Sequence, residues 1–186
     1  MHRIAIFASG TGTNFEAIAR ACTTGELDAQ VVLLVCDKPQ AEVVERAAKF
    51  GIETFAFSAK EYSSKSEYEQ IIVEKLNNAG VELVCLAGYM RIVGDTLLEA
   101  YGGRIINIHP SLLPAFAGAR AVEQAIEYGV KVFGITLHWV DNTLDGGKII
   151  AQRAFEYDGN DAEQVHRIGQ QIEHKMYVET IKNILK

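Results

Sequence analysis

Short apolar runs rich in β-branched residues alternate along this chain with longer segments of helical periodicity. Hydrophobic residues make up 48% of the chain, which is an ordinary share for a globular protein. The alternation is typical of repeated βα units, in which helices cover both faces of a buried parallel sheet. We therefore expect an α/β fold organised around a parallel sheet.

Seven strands and six helices follow from this pattern. Ser64 and Glu67 have the spacing of a capping box, which predicts where the third helix begins. The strands are predicted over Arg3 to Ala8, Val31 to Cys36, Glu53 to Phe57, Leu83 to Ala87, Arg104 to Ile108, Phe133 to Val140 and Lys148 to Phe155. The helices are predicted over Asn14 to Thr24, around Val43 to Ala47, over Ser64 to Asn78, Asp95 to Tyr101 and Val122 to Tyr128, and from Asp161 onward.

The size and charge of the chain restrict its organisation and its partners. A length of 186 residues suits one compact domain, so we expect residues 1–186 to form a single unit. The formal net charge of −6 argues against nucleic acid or an anionic membrane as a partner. No apolar run approaches the length of a membrane span, and no signal-peptide pattern opens the chain. Small-molecule partners are expected instead, and formation of a homo-oligomer stays open.

Three cysteines bear on the cellular compartment. Cys22, Cys36 and Cys85 are odd in number and lie far apart, so the chain has neither a disulfide framework nor a CxxC metal motif. Reduced thiols in a cytoplasmic protein are the simplest interpretation. We expect no metal site in this chain.

A glycine-rich turn, Gly10-Thr11-Gly12-Thr13-Asn14, lies between the first strand and the first helix. Two glycines allow close approach of a ligand, and the free N–H groups of a helix N-terminus attract an anion such as phosphate. The turn falls short of a dinucleotide fingerprint because Phe15 stands where the third glycine belongs. A phosphate site is the favoured interpretation, a purely structural tight turn is the alternative, and an NAD site is the weakest.

Asn107 and His109 lie at the end of the fifth predicted strand, on either side of Ile108. Side chains two residues apart in a strand leave the same face, so both can meet one reacting group. A carboxamide donor beside an imidazole combines stabilisation of an oxyanion with transfer of a proton. The later segment Asp141 to Gly147 adds a carboxylate, Asp145, although by its composition alone it is typical of a hairpin turn.

Five segments together resemble the glycinamide ribonucleotide formyltransferase family of purine biosynthesis. They are SGTGTN at 9–14, LAGYMRI at 86–92, NIHPSLLP at 107–114, LDGG at 144–147 and IEH at 172–174. The resemblance implies transfer of a formyl group from 10-formyltetrahydrofolate, a co-substrate, to the amine of glycinamide ribonucleotide, without a metal. It also implies a doubly wound, mostly parallel seven-stranded sheet with flanking helices, a Rossmann-like formyltransferase fold.

The resemblance also assigns roles to individual positions. Asn107, His109 and Asp145 match the catalytic trio: Asn107 and protonated His109 stabilise the oxyanion, His109 relays a proton, and Asp145 favours the imidazolium. The segment matching the ribonucleotide phosphate site is Gly12, Thr13 and Asn14, and the segment matching the site of the glycinamide end is Gln170, Gln171, Ile172 and Glu173.

The folate co-substrate is expected against an apolar wall that carries one cation and against the backbone of the later loop. His138 is interpreted as a nearby supporting residue or, equally, as a structural one. From these assignments, we expect the N-terminal half of the chain to carry the phosphate site. The C-terminal half is expected to carry the folate and catalytic loops. The residues implied for folate are Lys65, Met90, Arg91, Ile92, Val93, Asn107, Asp141, Asn142, Thr143, Leu144 and Asp145.

Three other functions share parts of this pattern. A 10-formyltetrahydrofolate hydrolase would use the same trio with water as acceptor, but that group carries an extra N-terminal regulatory domain. Methionyl-tRNA formyltransferase would need an additional basic C-terminal domain. A non-catalytic nucleotide-binding module would keep the glycine turn but has no need for the trio.

The chain departs from the family at 116–120, where many members have proline in place of Ala117. This difference predicts a looser loop after His109.

Overall fold

The computed structural model describes residues 1–186 as one seven-stranded sheet flanked by six helices. The strands are β1 (His2–Phe7), β2 (Ala29–Cys36), β3 (Thr54–Ala56), β4 (Leu83–Leu86), β5 (Ile105–His109), β6 (Val132–Trp139) and β7 (Ile149–Glu156). The helices are α1 (Thr13–Thr24), α2 (Glu42–Lys49), α3 (Lys65–Asn78), α4 (Asp95–Tyr101), α5 (Ala121–Tyr128) and α6 (Ala162–Ile184). No helix combines the length and the apolarity needed to cross a membrane.

The strand order in the sheet is β3-β2-β1-β4-β5-β6-β7. The first five strands in this order pair in parallel, whereas β6 pairs antiparallel with both β5 and β7. The chain winds outward from β1 in one direction and from β4 in the other, so a crevice opens between the carboxyl ends of these two strands. Ligands of open α/β sheets bind at such a crevice. The doubly wound, mostly parallel seven-stranded sheet is confirmed.

Two hydrophobic clusters, one on each face of the sheet, form the core. Alternate residues of β1 divide between them: Ile4 and Ile6 belong to the cluster under α1, α2 and α6, and Ala5 and Phe7 to the cluster under α3 and α4. Because both faces are covered, the central strands are apolar at nearly every position instead of alternating with polar residues. This burial explains the uninterrupted apolar runs in the sequence.

The predicted helices and strands are all present, and their ends shift by a few residues. The Ser64 Oγ accepts from the Glu67 backbone N at 3.2 Å, as a capping box requires. The Glu67 carboxylate instead accepts from the Ser63 backbone N at 2.7 Å, one residue before the expected partner. At α6, the Asp161 carboxylate caps the helix by accepting from the Glu163 backbone N at 2.9 Å.

One buried carboxylate was not anticipated from the pattern. Glu69 lies on the core-facing side of α3 and is only 2% exposed. It accepts from the backbone N of Gly94 at 2.7 Å and of Leu97 at 3.4 Å, and so caps the start of α4. Burial raises the pKa of the Glu69 carboxyl, and these two hydrogen bonds oppose that effect. The carboxylate therefore fixes the chain immediately after the segment 90–93.

Candidate active site

The structure brings Asn107, His109 and Asp145 together through a fourth residue, His138. The antiparallel register places Asn107 directly opposite His138, and the two side chains meet at 3.2 Å between Nδ2 and Nε2. The Asp145 carboxylate lies between the two imidazoles, with Oδ2 3.4 Å from His109 Nδ1 and Oδ1 3.7 Å from His138 Nε2. We call these four residues, which form the candidate active site, the catalytic cluster.

His109 faces an acceptor at each ring nitrogen. Its Nε2 lies 2.9 Å from the backbone oxygen of Phe116, and its Nδ1 faces the Asp145 carboxylate. A carbonyl and a carboxylate can only accept, so the doubly protonated imidazolium is the form that makes both contacts attractive. The side chain is 7% exposed, which shields this pair from water. His109 can therefore donate a hydrogen bond to each of these two acceptors.

Backbone groups of the segment 116–118 complete this cluster. Asp145 has a φ of 50°, and its Oδ2 accepts from the Gly118 backbone N at 2.8 Å. Phe116, with a φ of 54°, presents its carbonyl to His109. Sequence reasoning singled out 116–120 only as a loop that departs from the family. It did not assign site contacts to Phe116 or Gly118, because both contribute backbone atoms that no side-chain type reveals.

A buried hydroxyl fixes the loop that follows His109. Thr136 on β6 is fully buried; its Oγ1 donates to the Ser111 carbonyl at 2.7 Å and accepts from the Leu113 backbone N at 3.1 Å. Gln152 on β7 donates from Nε2 to Thr136 Oγ1 and to the Leu113 carbonyl, both at 3.0 Å. These bonds hold the loop against the antiparallel part of the sheet, next to the catalytic cluster.

The glycine turn forms the entrance to α1. Gly12 is the N-terminal cap, has a φ of 76° and leaves the helix without a side-chain cap. A β-carbon at this position would collide with Val43, so only glycine fits. The first N–H groups of α1 therefore stay available, which is the arrangement that binds an anion at a helix N-terminus.

Helix α6 meets this turn through two of the four residues predicted there. Gln170 Nε2 donates to Thr13 Oγ1 at 2.8 Å, and Asn14 Nδ2 donates to Glu173 Oε2 at 2.7 Å. The Asn14 Oδ1 atom is buried without a hydrogen-bond partner. Of the other two predicted residues, Gln171 is exposed and Ile172 packs against the core.

Glu173 is a half-buried acid on α6 with a shifted pKa. Burial raises the pKa of its carboxyl, and the hydrogen bond from Asn14 partly opposes the shift. A narrow crevice is lined by both Glu173 and Pro110, the residue after His109. The α6 acid therefore contacts the glycine turn and lies near the loop that follows His109.

The segment 90–93 divides between solvent and core. Met90 and Ile92 are 70% and 66% exposed, which is unusual for large apolar side chains, whereas Val93 is buried in the core. Leu144 on the opposite loop is 63% exposed. Asp141 shapes that loop by accepting from the Thr143 backbone N at 2.8 Å; its hydrogen bonds from Thr143 lower the pKa of the Asp141 carboxyl. An apolar surface of this kind fits a flat aromatic ligand.

A cavity of about 330 Å³ next to this segment is lined by three cations, Lys60, Lys65 and Arg91. Lys65 Nζ donates to the Ile92 carbonyl at 3.1 Å, and the guanidinium of Arg91 stacks over the Tyr68 ring at 5.5 Å. Cations on a concave surface suit a ligand that carries carboxylates. The structure thus places Lys65 and Arg91 in one cavity.

Ser9 joins the glycine turn to the segment 90–93. Its Oγ accepts from the Met90 backbone N at 2.8 Å and donates to the Asp37 carboxylate, which also pairs with Arg91 Nε at 3.3 Å. The sequence signal for this contact is the position of Asp37 directly after β2, at the same edge of the sheet as Ser9.

A model of the formyl transferase family matches residues 2–181. The chain therefore belongs to the formyl transferase family. Among its relatives, the phosphoribosylglycinamide formyltransferase of Bacillus subtilis (strain 168) is 55% identical over 186 residues, which are 100% of this chain and 95% of that protein. The trifunctional purine biosynthetic protein adenosine-3 of Gallus gallus is 38% identical over 94% of this chain and 18% of its own length.

A solved structure agrees with this membership. The crystal structure of glycinamide ribonucleotide transformylase 1 from Geobacillus kaustophilus superimposes with a TM-score of 0.97 at 47% identity, covering 100% of both chains. This chain therefore has the same fold as a glycinamide ribonucleotide transformylase.

Proposed function

We propose that this protein transfers the formyl group of 10-formyltetrahydrofolate to the primary amine of glycinamide ribonucleotide, a step of purine biosynthesis. The observation that carries the proposal is the buried catalytic cluster, in which a carboxamide and an imidazolium converge beside one carboxylate. The names of the relatives support the choice of acceptor. Formyl transfer needs an oxyanion donor and a proton carrier, and Asn107 and His109 supply them.

The reaction forms a bond from the amine nitrogen to the formyl carbon and breaks the bond from that carbon to the folate nitrogen. Asn107 Nδ2 and the His109 imidazolium stabilise the negative charge that develops on the formyl oxygen. His109 gives its Nε2 proton to the departing folate nitrogen, and the resulting neutral imidazole takes one proton from the attacking amine, which restores the imidazolium. For this, Nε2 must exchange the Phe116 carbonyl for substrate. Asp145 stabilises the imidazolium before and after this exchange.

The ribonucleotide fits the region around α1. Its phosphate would bind the free N–H groups after Gly12, among them those of Thr13 and Asn14. The buried Oδ1 of Asn14 has no partner and can only accept, so it would meet a donor group of the ribonucleotide and not the phosphate. Gln170 and Glu173 contact these residues from α6. Glu173 would meet the cationic glycinamide amine by charge complementarity, and it shares a small crevice with Pro110, the residue that follows His109.

The folate co-substrate supplies the formyl group when bound, and the residues present fit its shape and charge. Met90, Ile92 and Leu144 offer exposed apolar surface for the pterin, and the backbone of 141–145 can hydrogen-bond its edge. Lys65 and Arg91 line the cavity that would hold the carboxylates of the glutamate tail. Val93 supports this wall from the core side.

The proposal includes the organisation and the setting of the protein. Residues 1–186 act as one unit in which α6 completes the ribonucleotide site of the N-terminal half. A cytoplasmic location is supported by three free cysteines, two of them buried.

An experiment with formyl-labelled 10-formyltetrahydrofolate tests the proposal. The labelled donor is incubated with the protein, with and without glycinamide ribonucleotide, and the products are separated by chromatography. We expect the label on the ribonucleotide and no release without it. Label recovered as formate in the absence of any amine would make the protein a hydrolase, and unconverted donor in both reactions would contradict formyl transfer altogether.

A further inference from the structure

His138 is the one member of the catalytic cluster outside the proposed mechanism. It lies on β6, directly opposite Asn107 on β5, and its residue is 2% exposed. Each of its ring nitrogens has a specific partner: Nδ1 lies 2.9 Å from the Trp139 carbonyl oxygen, and Nε2 lies 3.2 Å from Asn107 Nδ2. A buried imidazole with both nitrogens engaged has a defined protonation state.

That state follows from which atoms can donate. The Trp139 carbonyl can only accept, so His138 Nδ1 carries a hydrogen. The amide nitrogen of Asn107 can only donate, so His138 Nε2 must be bare and accept. These partners fit the Nδ1–H form of His138, whereas His109 faces an acceptor at each ring nitrogen.

The Asp145 carboxylate lies near both rings, 3.4 Å from His109 Nδ1 and 3.7 Å from His138 Nε2. A bare Nε2 on His138 cannot donate to the Asp145 carboxylate. Only His109 Nδ1 can then donate a hydrogen bond to Asp145. The carboxylate therefore lies between two histidines but accepts a hydrogen bond from only one of them.

The bond to His138 fixes the orientation of the Asn107 amide. One N–H of the Asn107 carboxamide points to His138, so the amide cannot turn its oxygen to that side. The second N–H is then presented on the other side of the group, where it can donate to an oxygen that gains negative charge. If Nε2 carried a hydrogen, the amide would rotate to offer its oxygen to His138 instead, and its N–H groups would leave their present direction.

We propose that His138 is a positioning residue for formyl transfer, which holds the Asn107 carboxamide with an N–H directed at the formyl oxygen. This inference rests on the proposed function, because it assumes that Asn107 is the oxyanion donor. It differs from a purely structural role in one respect: the effect of His138 on the reaction must pass through Asn107.

The first test reads the protonation state of His138 without any turnover. ¹⁵N-labelled histidine gives distinct NMR signals for protonated and bare ring nitrogens, and a His138→Gln variant assigns those of His138. At neutral pH we expect a protonated Nδ1 and a bare Nε2. A hydrogen on Nε2, or an imidazolium, would overturn the proposal whether or not the protein transfers formyl groups.

The second test is a double-mutant cycle measured by formyl transfer. His138→Met removes the acceptor at similar size, and we expect kcat to fall about tenfold to a hundredfold with KM within about twofold. His138→Gln places an amide oxygen near the position of Nε2 and should recover most of kcat. In an Asn107→Ala background, His138→Met should cost little more.

The outcomes of this cycle separate the two roles. Equal losses from His138→Met with and without Asn107 would show that His138 acts through folding alone and would overturn the proposal. Wild-type kcat in His138→Met would do the same. Thermal unfolding of each variant checks that the fold is intact. Absence of ribonucleotide-dependent transfer by the wild-type protein would count against the proposed function, while the NMR result on His138 stands separately.

Discussion

The catalytic cluster and the segment 90–93 lie at the same edge of the sheet but are built in opposite ways. In the cluster, every side chain is buried or nearly so and has its partners within the protein. In the segment 90–93, Met90 and Ile92 extend large apolar side chains into solvent without a partner. The cluster is organised without a ligand, whereas the segment leaves apolar surface that the proposed folate co-substrate would cover.

This difference separates the two tasks of an enzyme. Groups that stabilise a transition state work best when their orientation is fixed in advance, because no reorganisation is then needed during the reaction. Groups that only bind a substrate can be exposed and can adapt to it. Substitutions in the cluster should therefore lower kcat, and substitutions in the surrounding sites should change KM.

The largest effect is expected for His109→Ala. Loss of the proton carrier should lower kcat by roughly a hundredfold to ten-thousandfold, with KM for both substrates within about threefold. Steady-state kinetics check this. The control is His2→Ala, which removes a histidine from the opposite edge of the sheet and should keep the wild-type kcat. A His109→Ala enzyme with raised KM and normal kcat would break the comparison between the two regions.

A smaller effect is expected for Gly12→Ala. The added methyl group meets Val43 at a φ of 76°, so we expect a loss of about 1 to 2 kcal/mol in stability. For a protein of this size that lowers Tm by roughly 2 to 8 °C. KM for the ribonucleotide should rise about tenfold while KM for the folate donor stays unchanged.

The matched control for this change is in the same turn. Gly10→Ala adds a methyl group where no atom lies within 4 Å, so its Tm should equal that of the wild type. An equal drop in Tm for both variants would show that the turn as a whole, and not the position of Gly12, resists substitution.

A modest effect is expected for Lys65→Ala. Removing one exposed cation from the cavity should raise KM for 10-formyltetrahydrofolate by about fivefold at most, the range of a solvent-exposed charge pair. A donor that lacks the glutamate tail should bind the variant and the wild type equally. Lys182→Ala, on the exposed side of α6, serves as the control and should change neither value. An equal loss of affinity for both donors would place Lys65 elsewhere in folate binding.

The smallest effect is expected on stability, for Glu173→Gln. Because burial raises the pKa of this carboxyl in the folded state, its contribution to stability is present below the unfolded pKa and is lost as pH rises through the folded pKa. Gln keeps an acceptor for Asn14 and carries no charge. We therefore expect a higher Tm than wild type at neutral pH and a difference that shrinks toward pH 4 to 5.

In the same Glu173→Gln variant, the KM for the ribonucleotide should rise.

Thermal scans at several pH values measure the difference in Tm between Glu173→Gln and the wild type. Each kcal/mol of stability corresponds to about 2 to 4 °C in Tm for a protein of this size, so these scans resolve how the difference changes with pH. A Tm difference that grows as pH falls would contradict the assignment of a buried, costly carboxylate to this position.

The sequence predicts the sheet well because both faces of it are covered. Each central strand shows as an apolar run, and all seven strands are where the runs place them. The alternation around Ile108 also places Asn107 and His109 on one face. The alternation does not predict the register between β5 and β6. That register places His138 opposite Asn107.

Other parts of the site depend on features that side-chain patterns do not encode. The carbonyl of Phe116 and the N–H of Gly118 act through backbone atoms, whose positions depend on the loop conformation. Glu69 falls within an apolar stripe, and only the tertiary fold shows that it caps α4. The looser loop predicted from Ala117 stays a prediction.

The most direct test of the account is a single-turnover measurement on Asn107→Ala with both substrates saturating. The rate of label transfer to the ribonucleotide is measured by rapid quench, and binding of each substrate is measured separately. The account predicts a rate at least about a hundredfold below that of the wild type, with both affinities nearly unchanged. A wild-type rate of transfer in this variant would contradict the assignment of the catalytic cluster.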